Sequence, residues 1–163
     1  MLEMNIGKNG NIFELPQDKE AVCVTTNGIV KSNGKAVMGA GIAKEADQLF
    51  HLSNLLGKYL KQYGNRAFNL GNFTRLNLNN SGIPIVFTVF SFPTKYDWKD
   101  DSDITLICKS AEQLVEMCNK FGITKCYLTP PGCGCGNLNY EAIVKPWISQ
   151  ILDDRFVIVL RDN

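Results

Sequence analysis

Histidine is almost missing from this chain: His51 stands alone among 163 residues. That scarcity removes most sites that depend on imidazole, because a closed zinc centre draws about four ligands from cysteine, histidine and carboxylate. Cys23, Cys108, Cys118 and Cys126 lie inside apolar runs and read as reduced core residues, which leaves Cys133 and Cys135 as a lone Cys-x-Cys with no second pair. No metal and no cofactor is expected. Charge of one sign is lacking too, since 17 Lys and Arg against 16 Asp and Glu leave a net +1. A field that weak does not gather duplex nucleic acid non-specifically, so a nucleic-acid partner would have to be recognised by something besides its phosphates. No apolar run is long enough to span a membrane, and residues 1–5 carry neither the basic nor the apolar region of a signal peptide. The expectation is a cytoplasmic protein with no membrane partner. The sequence is silent on oligomeric state.

What the chain does have is glycine, placed in two turns: Met38-Gly39-Ala40-Gly41-Ile42-Ala43, and Pro130-Pro131-Gly132-Cys133-Gly134-Cys135-Gly136-Asn137. Each sits between an apolar extended run and an amphipathic run. Glycine lets backbone N–H groups approach an anion with no Cβ in the way, and a following helix adds the positive end of its dipole. Two such turns in one small chain suggest a diphosphate held from both sides.

Leu2 to Ile6 and Asn11 to Leu15 read as short extended runs around Lys8-Asn9-Gly10, an N-terminal hairpin. Ala21 to Thr25 reads as a strand. Residues 27–37 form a loop with turn dipeptides Asn27-Gly28 and Asn33-Gly34, and helical spacing runs from Ile42 to Tyr63, broken near Ser53 or Gly57 and capped by Gly64. Phe68 to Leu76 and Ile83 to Phe92 are expected to pair antiparallel through a polar turn at Asn77 to Gly82, with Pro93 ending the second strand. Asp103 starts a helix that stops at Phe121-Gly122. A strand at Lys125 to Thr129, a helix from Asn139 to about Leu152 and a strand at Phe156 to Leu160 follow. The alternation predicts one α/β domain over residues 1–163, with a mixed, centrally parallel sheet and helices on both faces. Ligands then bind beyond the carboxyl ends of the strands, where both glycine turns fall.

Two nucleotide motifs are excluded. Gly28 to Ala36 has one residue too many before its Gly-Lys, and Ala36 where a P-loop needs a hydroxyl. Gly39 to Lys44 lacks the third glycine of the dinucleotide fingerprint, and no acidic residue follows the next strand.

The residues instead resemble the macrodomain family. The resemblance runs in order through Glu20-Ala21-Val22-Cys23-Val24-Thr25-Thr26-Asn27, Val37 to Ala43 and Thr129 to Gly136. It is sharpened by Ser91-Phe92-Pro93-Thr94-Lys95-Tyr96-Asp97-Trp98, which is similar to a segment of the ADP-ribosyl glycohydrolase branch. That branch contains DNA ADP-ribosylation antitoxins and the human terminal ADP-ribose glycohydrolase. The resemblance implies a three-layer α/β/α fold, an ADP-ribose pocket and reversal of ADP-ribosylation. The partner would be ADP-ribose or an ADP-ribosylated substrate, with ADP-ribosylated DNA among the candidates.

Carried over residue by residue, Glu20 is expected to accept the adenine amino group, and Asn27 to face the distal ribose. Met38, Gly39, Ala40, Gly41 and Ile42 match one phosphate loop, and Pro131, Gly132, Cys133, Gly134, Cys135, Gly136 and Asn137 the other. Lys95 matches a lysine proposed to attack the anomeric carbon, which requires its neutral form. An apolar wall from Phe92, Pro93 and Trp98 would lower its pKa from about 10.4, while a charged Lys95 would instead stabilise developing charge. The chain departs from the family pattern at Val24, where many relatives have asparagine, and at Gly136, where the human ester hydrolase has a catalytic aspartate. Two other readings stay open: a non-catalytic ADP-ribose-binding module, and a phosphatase acting on ADP-ribose 1″-phosphate.

Overall fold

A computed structural model describes residues 1–77 and 82–163. Its strands are β1 (Leu2–Asn5), β2 (Glu20–Thr26), β3 (Asn69–Arg75), β4 (Ile85–Pro93), β5 (Lys125–Leu128) and β6 (Phe156–Leu160), and its helices are α1 (Gly41–Phe50), α2 (Ser53–Tyr63), α3 (Ile104–Phe121) and α4 (Lys145–Ile148). The six strands form one sheet in the order β1-β6-β5-β2-β4-β3. Every pairing is parallel except β3 with β4.

Alternating side chains divide the apolar residues of each strand between two cores. On one face Val22, Val24, Val157 and Val159 pack against Ala43, Ala46, Leu52 and Leu56 of the α1–α2 segment. On the other, Ala21, Cys23, Phe156 and Ile158 pack against Ile107, Ala111 and Leu114 of α3 and Val144 and Ile148 around α4. The result is a three-layer α/β/α sandwich whose parallel strands finish together at one end. Thr26 of β2 pairs with Pro93 of β4, so Asn27 and Lys95 follow within two residues of the same level.

The expected N-terminal hairpin does not form. β1 pairs parallel with β6, from Leu2 opposite Val157 to Asn5 opposite Leu160, so the open edge of β6 takes the strand instead. Residues 12–14 form a 3₁₀ turn capped by the Asn11 side chain, which accepts from the Phe13 N–H at 3.0 Å. That turn buries Ile12 and Phe13 in the first core.

Helical residues 41–63 break at His51 and Leu52, immediately before Ser53 as expected, and not at Gly57. His51 adopts φ +55°, and the Asp47 carboxylate accepts from the Ser53 N–H at 2.9 Å, which starts α2. Gly57 lies inside α2, where a Cβ would overlap the Gly34 carbonyl, so glycine there permits close helix-to-loop packing.

The helix expected from Asn139 to Leu152 is reduced to a π-helical turn, Tyr140–Val144, followed by the short α4. Pro146 explains the change. It has no N–H for residue 142, and its ring would crowd that carbonyl, so the backbone widens and the Val144 N–H reaches Asn139 O at 3.2 Å. The turn expected between β3 and β4 falls mainly on residues 78–81, outside the described residues. Among the described residues no helix is long and apolar enough to cross a membrane.

Candidate functional site

A cavity of about 700 Å³ opens over the carboxyl ends of β6, β5, β2 and β4. From β6 to β4 is three interstrand steps, roughly 14 Å at about 4.8 Å each. The volume falls in the range of about 300–1,000 Å³ usual for small-molecule sites. A second cleft of about 800 Å³ lies at the other end of the sheet, around Asp18, Lys19, Asn72 and Thr88, and neither glycine turn reaches it.

Both glycine turns line the first cavity. On one side are Gly39 to Ala43, on the other Gly132 to Gly136. α1 starts at Gly41 with no side-chain cap and no acidic residue in its first turn. The N–H groups of Gly41, Ile42 and Ala43 therefore lack the carbonyls that an internal helical residue would have, and the helix dipole adds positive potential beside them. Across the cavity, Cys133 N donates to Pro130 O, Asn137 N to Gly134 O and Leu138 N to Gly132 O. Among the described residues the N–H groups of Gly134, Cys135 and Gly136 have no protein acceptor. This second loop gains no helix dipole, because the turn after it is short and the Asn139 side chain already accepts from the Ala142 N–H at 2.8 Å. Both sets of amides thus belong to residues that line the same cavity.

The glycines of the second loop separate into two kinds. A Cβ on Gly136 would overlap Ser102 Oγ and the Gly132 carbonyl, so this position is closed to any side chain and in particular to the aspartate of the ester hydrolase. Gly134, like Gly39 opposite, has neither a left-handed φ nor any atom within 4 Å of a built Cβ. The fold does not require glycine at those two positions. They are bare where they face the cavity.

Asn27 lines the cavity and has both ends of its amide engaged: Nδ2 donates to Val37 O at 3.0 Å and Oδ1 accepts from Ile29 N at 3.0 Å. One amide hydrogen and one lone pair remain for a ligand. Lys95 also lines the cavity, half-buried, with Nζ donating to Cys135 O at 3.0 Å and to Trp98 O at 3.4 Å. The lysine is thus tied to the second glycine loop. Of the three residues expected to wall the amine, Phe92 and Pro93 are buried and do not line the cavity, while Trp98 lines it and is 51% exposed.

Phe92 does not line the cavity. Alternation along β4 turns its ring into the core under α3, where it is fully buried. Glu20 lies at the amino end of β2, about six residues or roughly 20 Å from Thr26 at about 3.3 Å per residue, and there it accepts from Tyr127 Oη at 3.2 Å and from Gln17 N at 3.0 Å. It cannot reach a nucleotide held by the glycine loops. Its charge, after burial, pushes the Tyr127 hydroxyl up to about 12. Met38 is buried in the first core, Pro131 is buried, and exposed Asn137 (φ +63°) donates to Asp101 Oδ1 at 2.8 Å. None of the three lines the cavity.

Lining residues that sequence reasoning missed include Glu45 and Arg161, which with Lys95 are the charged lining groups among the described residues. Arg161 immediately follows β6, so the strand-end rule could have found it. Glu45 stands three residues after Ile42 on α1, a helical neighbour. Thr26 Oγ1 and Ser102 Oγ are buried with no hydrogen-bond partner among the described residues, and both residues line the cavity, a feature with no sequence signal. Among the described residues no cluster of three His, Cys, Asp or Glu could hold a metal.

No family profile matches the chain, and no curated protein matches it by sequence. Solved structures do. The macrodomain of Thermus aquaticus DarG is 25% identical, with 98% of this chain aligned to 99% of that one and a TM-score of 0.67. The macrodomain of Mycobacterium tuberculosis DarG is 23% identical over 99% of both chains, TM-score 0.65. Thermosipho africanus DarTG, solved in complex with ADP-ribose, is 21% identical with a TM-score of 0.68, and 98% of this chain aligns to 42% of that one.

Proposed function

We propose that residues 1–163, similar in fold to the DarG macrodomains, form one macrodomain that binds ADP-ribose and hydrolyses it from a modified nucleobase or protein side chain, with Lys95 as a catalytic residue. The observation that carries this reading is that two unpartnered amide loops, Asn27 and Lys95 all line one cavity. The pyrophosphate lies between Gly39 to Ala43 and Gly132 to Gly136. The free hydrogen and lone pair of Asn27 take hydroxyls of the distal ribose. Lys95 then lies at the anomeric carbon.

In the reaction the bond from C1″ to the acceptor breaks, water supplies the new C1″ hydroxyl, and its remaining proton goes to the acceptor. With its Nζ donating to two carbonyls, Lys95 is better arranged to stabilise charge on the departing group than to attack. The test is parallel incubation of the protein with ADP-ribosylated DNA, ADP-ribosylated protein and O-acetyl-ADP-ribose, each with wild type and Lys95→Ala. Release of ADP-ribose by wild type alone, with ADP-ribose binding kept in the variant, supports the reading. Binding without turnover on any substrate leaves a binding module.

A further inference from the structure

Lys95 leaves β4 on a loop whose backbone is tied on either side of it, and at Thr94 the carbonyl accepts from Asp103 N at 2.9 Å. Thr94 N donates to Thr26 O at 3.0 Å, and after Lys95 the Tyr96 carbonyl accepts from Gly28 N at 3.1 Å. Between them the Lys95 carbonyl has one protein partner among the described residues, the side chain of Asn65, whose Nδ2 donates to it at 3.0 Å. Asn65 belongs to the α2–β3 connection, a distant part of the chain. That connection is itself fixed at both ends: Gly64 N donates to Leu60 O at 3.0 Å, and Ala67 N to Gln113 Oε1 of α3 at 2.9 Å.

The same side chain also packs on the residue after Asn27. A Cβ at Gly28 would come within 2.9 Å of Asn65 Cγ and Nδ2 and 3.0 Å of the Tyr96 carbonyl. Asn65 therefore fills the gap between the loop that carries Asn27 and the loop that carries Lys95, touching both. It does not line the cavity. Its Oδ1 is buried and has no hydrogen-bond partner among the described residues. An asparagine kept for stability would be expected to satisfy both ends of its amide, because a buried unpaired carbonyl oxygen costs free energy. Here the donor end alone is used, and it is used on Lys95.

We propose that Asn65 is a positioning residue that sets the distance between Lys95 and Asn27, and through it the placement of the amine at the anomeric carbon. The proposal rests on the hydrolytic reading of the cavity. A displacement of about 1 Å at a reacting group costs about 10²-fold in rate. Asn65→Ala and Asn65→Asp, the second keeping the shape and losing the donor, are expected to lower kcat by about that factor on whichever ADP-ribosylated substrate wild type turns over. KM and ADP-ribose affinity stay unchanged, while the Asn65→Ala melting temperature falls modestly because the Lys95 carbonyl loses its partner. A lower melting temperature with kcat of the folded protein unchanged would overturn the proposal, as would full activity in Asn65→Asp.

A second readout needs no turnover. Lysines are reductively methylated with ¹³C, the Lys95 signal is assigned by its loss in Lys95→Arg, and spectra are taken with ADP-ribose present. The proposal expects the Lys95 resonance to move in Asn65→Ala, and an unmoved resonance overturns it. If wild type hydrolyses nothing, the hydrolytic reading fails by itself and this spectrum alone decides whether Asn65 positions the lysine.

Discussion

Gly134→Ala and Gly136→Ala change two glycines of one loop, two residues apart, and should have opposite effects. At Gly134 the new methyl meets no protein atom within 4 Å and the backbone is outside the left-handed region, so the fold tolerates it. Such a substitution stabilises a protein by about 0.4–1 kcal/mol through loss of unfolded-state entropy. Gly134 lines the cavity, so with a pyrophosphate held against this loop as proposed the added methyl crowds its approach to the N–H groups of Gly134 to Gly136. Losing one hydrogen bond to a charged oxygen costs about 1.5–3 kcal/mol, and each 1.4 kcal/mol or so is tenfold in affinity, which makes roughly ten- to a hundredfold weaker ADP-ribose binding. At Gly136 the methyl would overlap Ser102 Oγ and the Gly132 carbonyl. Overpacking there should lower stability by about 1–3 kcal/mol. Thermal melts and calorimetric titration of both variants, with Gly39→Ala as the counterpart of Gly134→Ala on the other loop, read the two quantities separately. Wild-type affinity in both Gly39→Ala and Gly134→Ala would refute the reasoning, because it would mean that no ligand comes close to either bare glycine.

Asn27→Ala removes the bond to Val37 O and strands the Ile29 N–H. The expected result is a loss of about 1–3 kcal/mol in denaturant stability together with weaker ADP-ribose binding, and unchanged stability would contradict the contacts. Burial pushes the Cys133 thiol up to about 11, so below that pH it stays protonated and slow to react, whereas Cys135 is exposed. Brief iodoacetamide treatment followed by mass spectrometry should find Cys135 modified before Cys133, and ADP-ribose should protect it; the reverse order contradicts the burial argument. The Lys145 ammonium, donating to Glu3 at 2.6 Å, holds the Glu3 carboxyl below the usual range. A folded-state pKa that is depressed contributes stability above the unfolded value, about 4.3, and that contribution is lost as pH falls through the folded value. Melting temperature against pH should therefore show Glu3→Gln below wild type near neutrality and converging with it in acid, and parallel curves would contradict the pairing.

Much of the layered architecture was legible, because it rests on local signals that tertiary packing did not override. The apolar run at Phe156–Leu160, the Asp103 cap of α3 and the glycine stops at Gly64 and Gly122 all stand where the sequence implies. That the two glycine loops lie together was also legible, since both line the one cavity over the strand ends. Other features depend on partners far along the chain. Nothing in Leu2–Asn5 states that β6 will leave an edge free for it, and a hairpin is the nearest local alternative. Glu20 was assigned by carrying a family position across, and only the parallel sheet shows that it stands at the amino end of β2, away from the cavity. Phe92 shares its segment with Lys95, yet strand alternation sends its ring under α3. Pro146 was visible and its consequence was underweighted. The bonds from Lys95 to Cys135 and from Asn65 to Lys95 join residues 40 and 30 apart in sequence, so no pattern in the sequence announces them.

The central claim is that amides of both loops converge on one diphosphate, and an ADP-ribose titration followed by ¹H–¹⁵N correlation spectra tests it most directly. The account predicts that the amide signals of Gly39 to Ala43 and of Gly134 to Gly136 move together along one saturable binding curve. Movement confined to one loop, or absent from both, would contradict it.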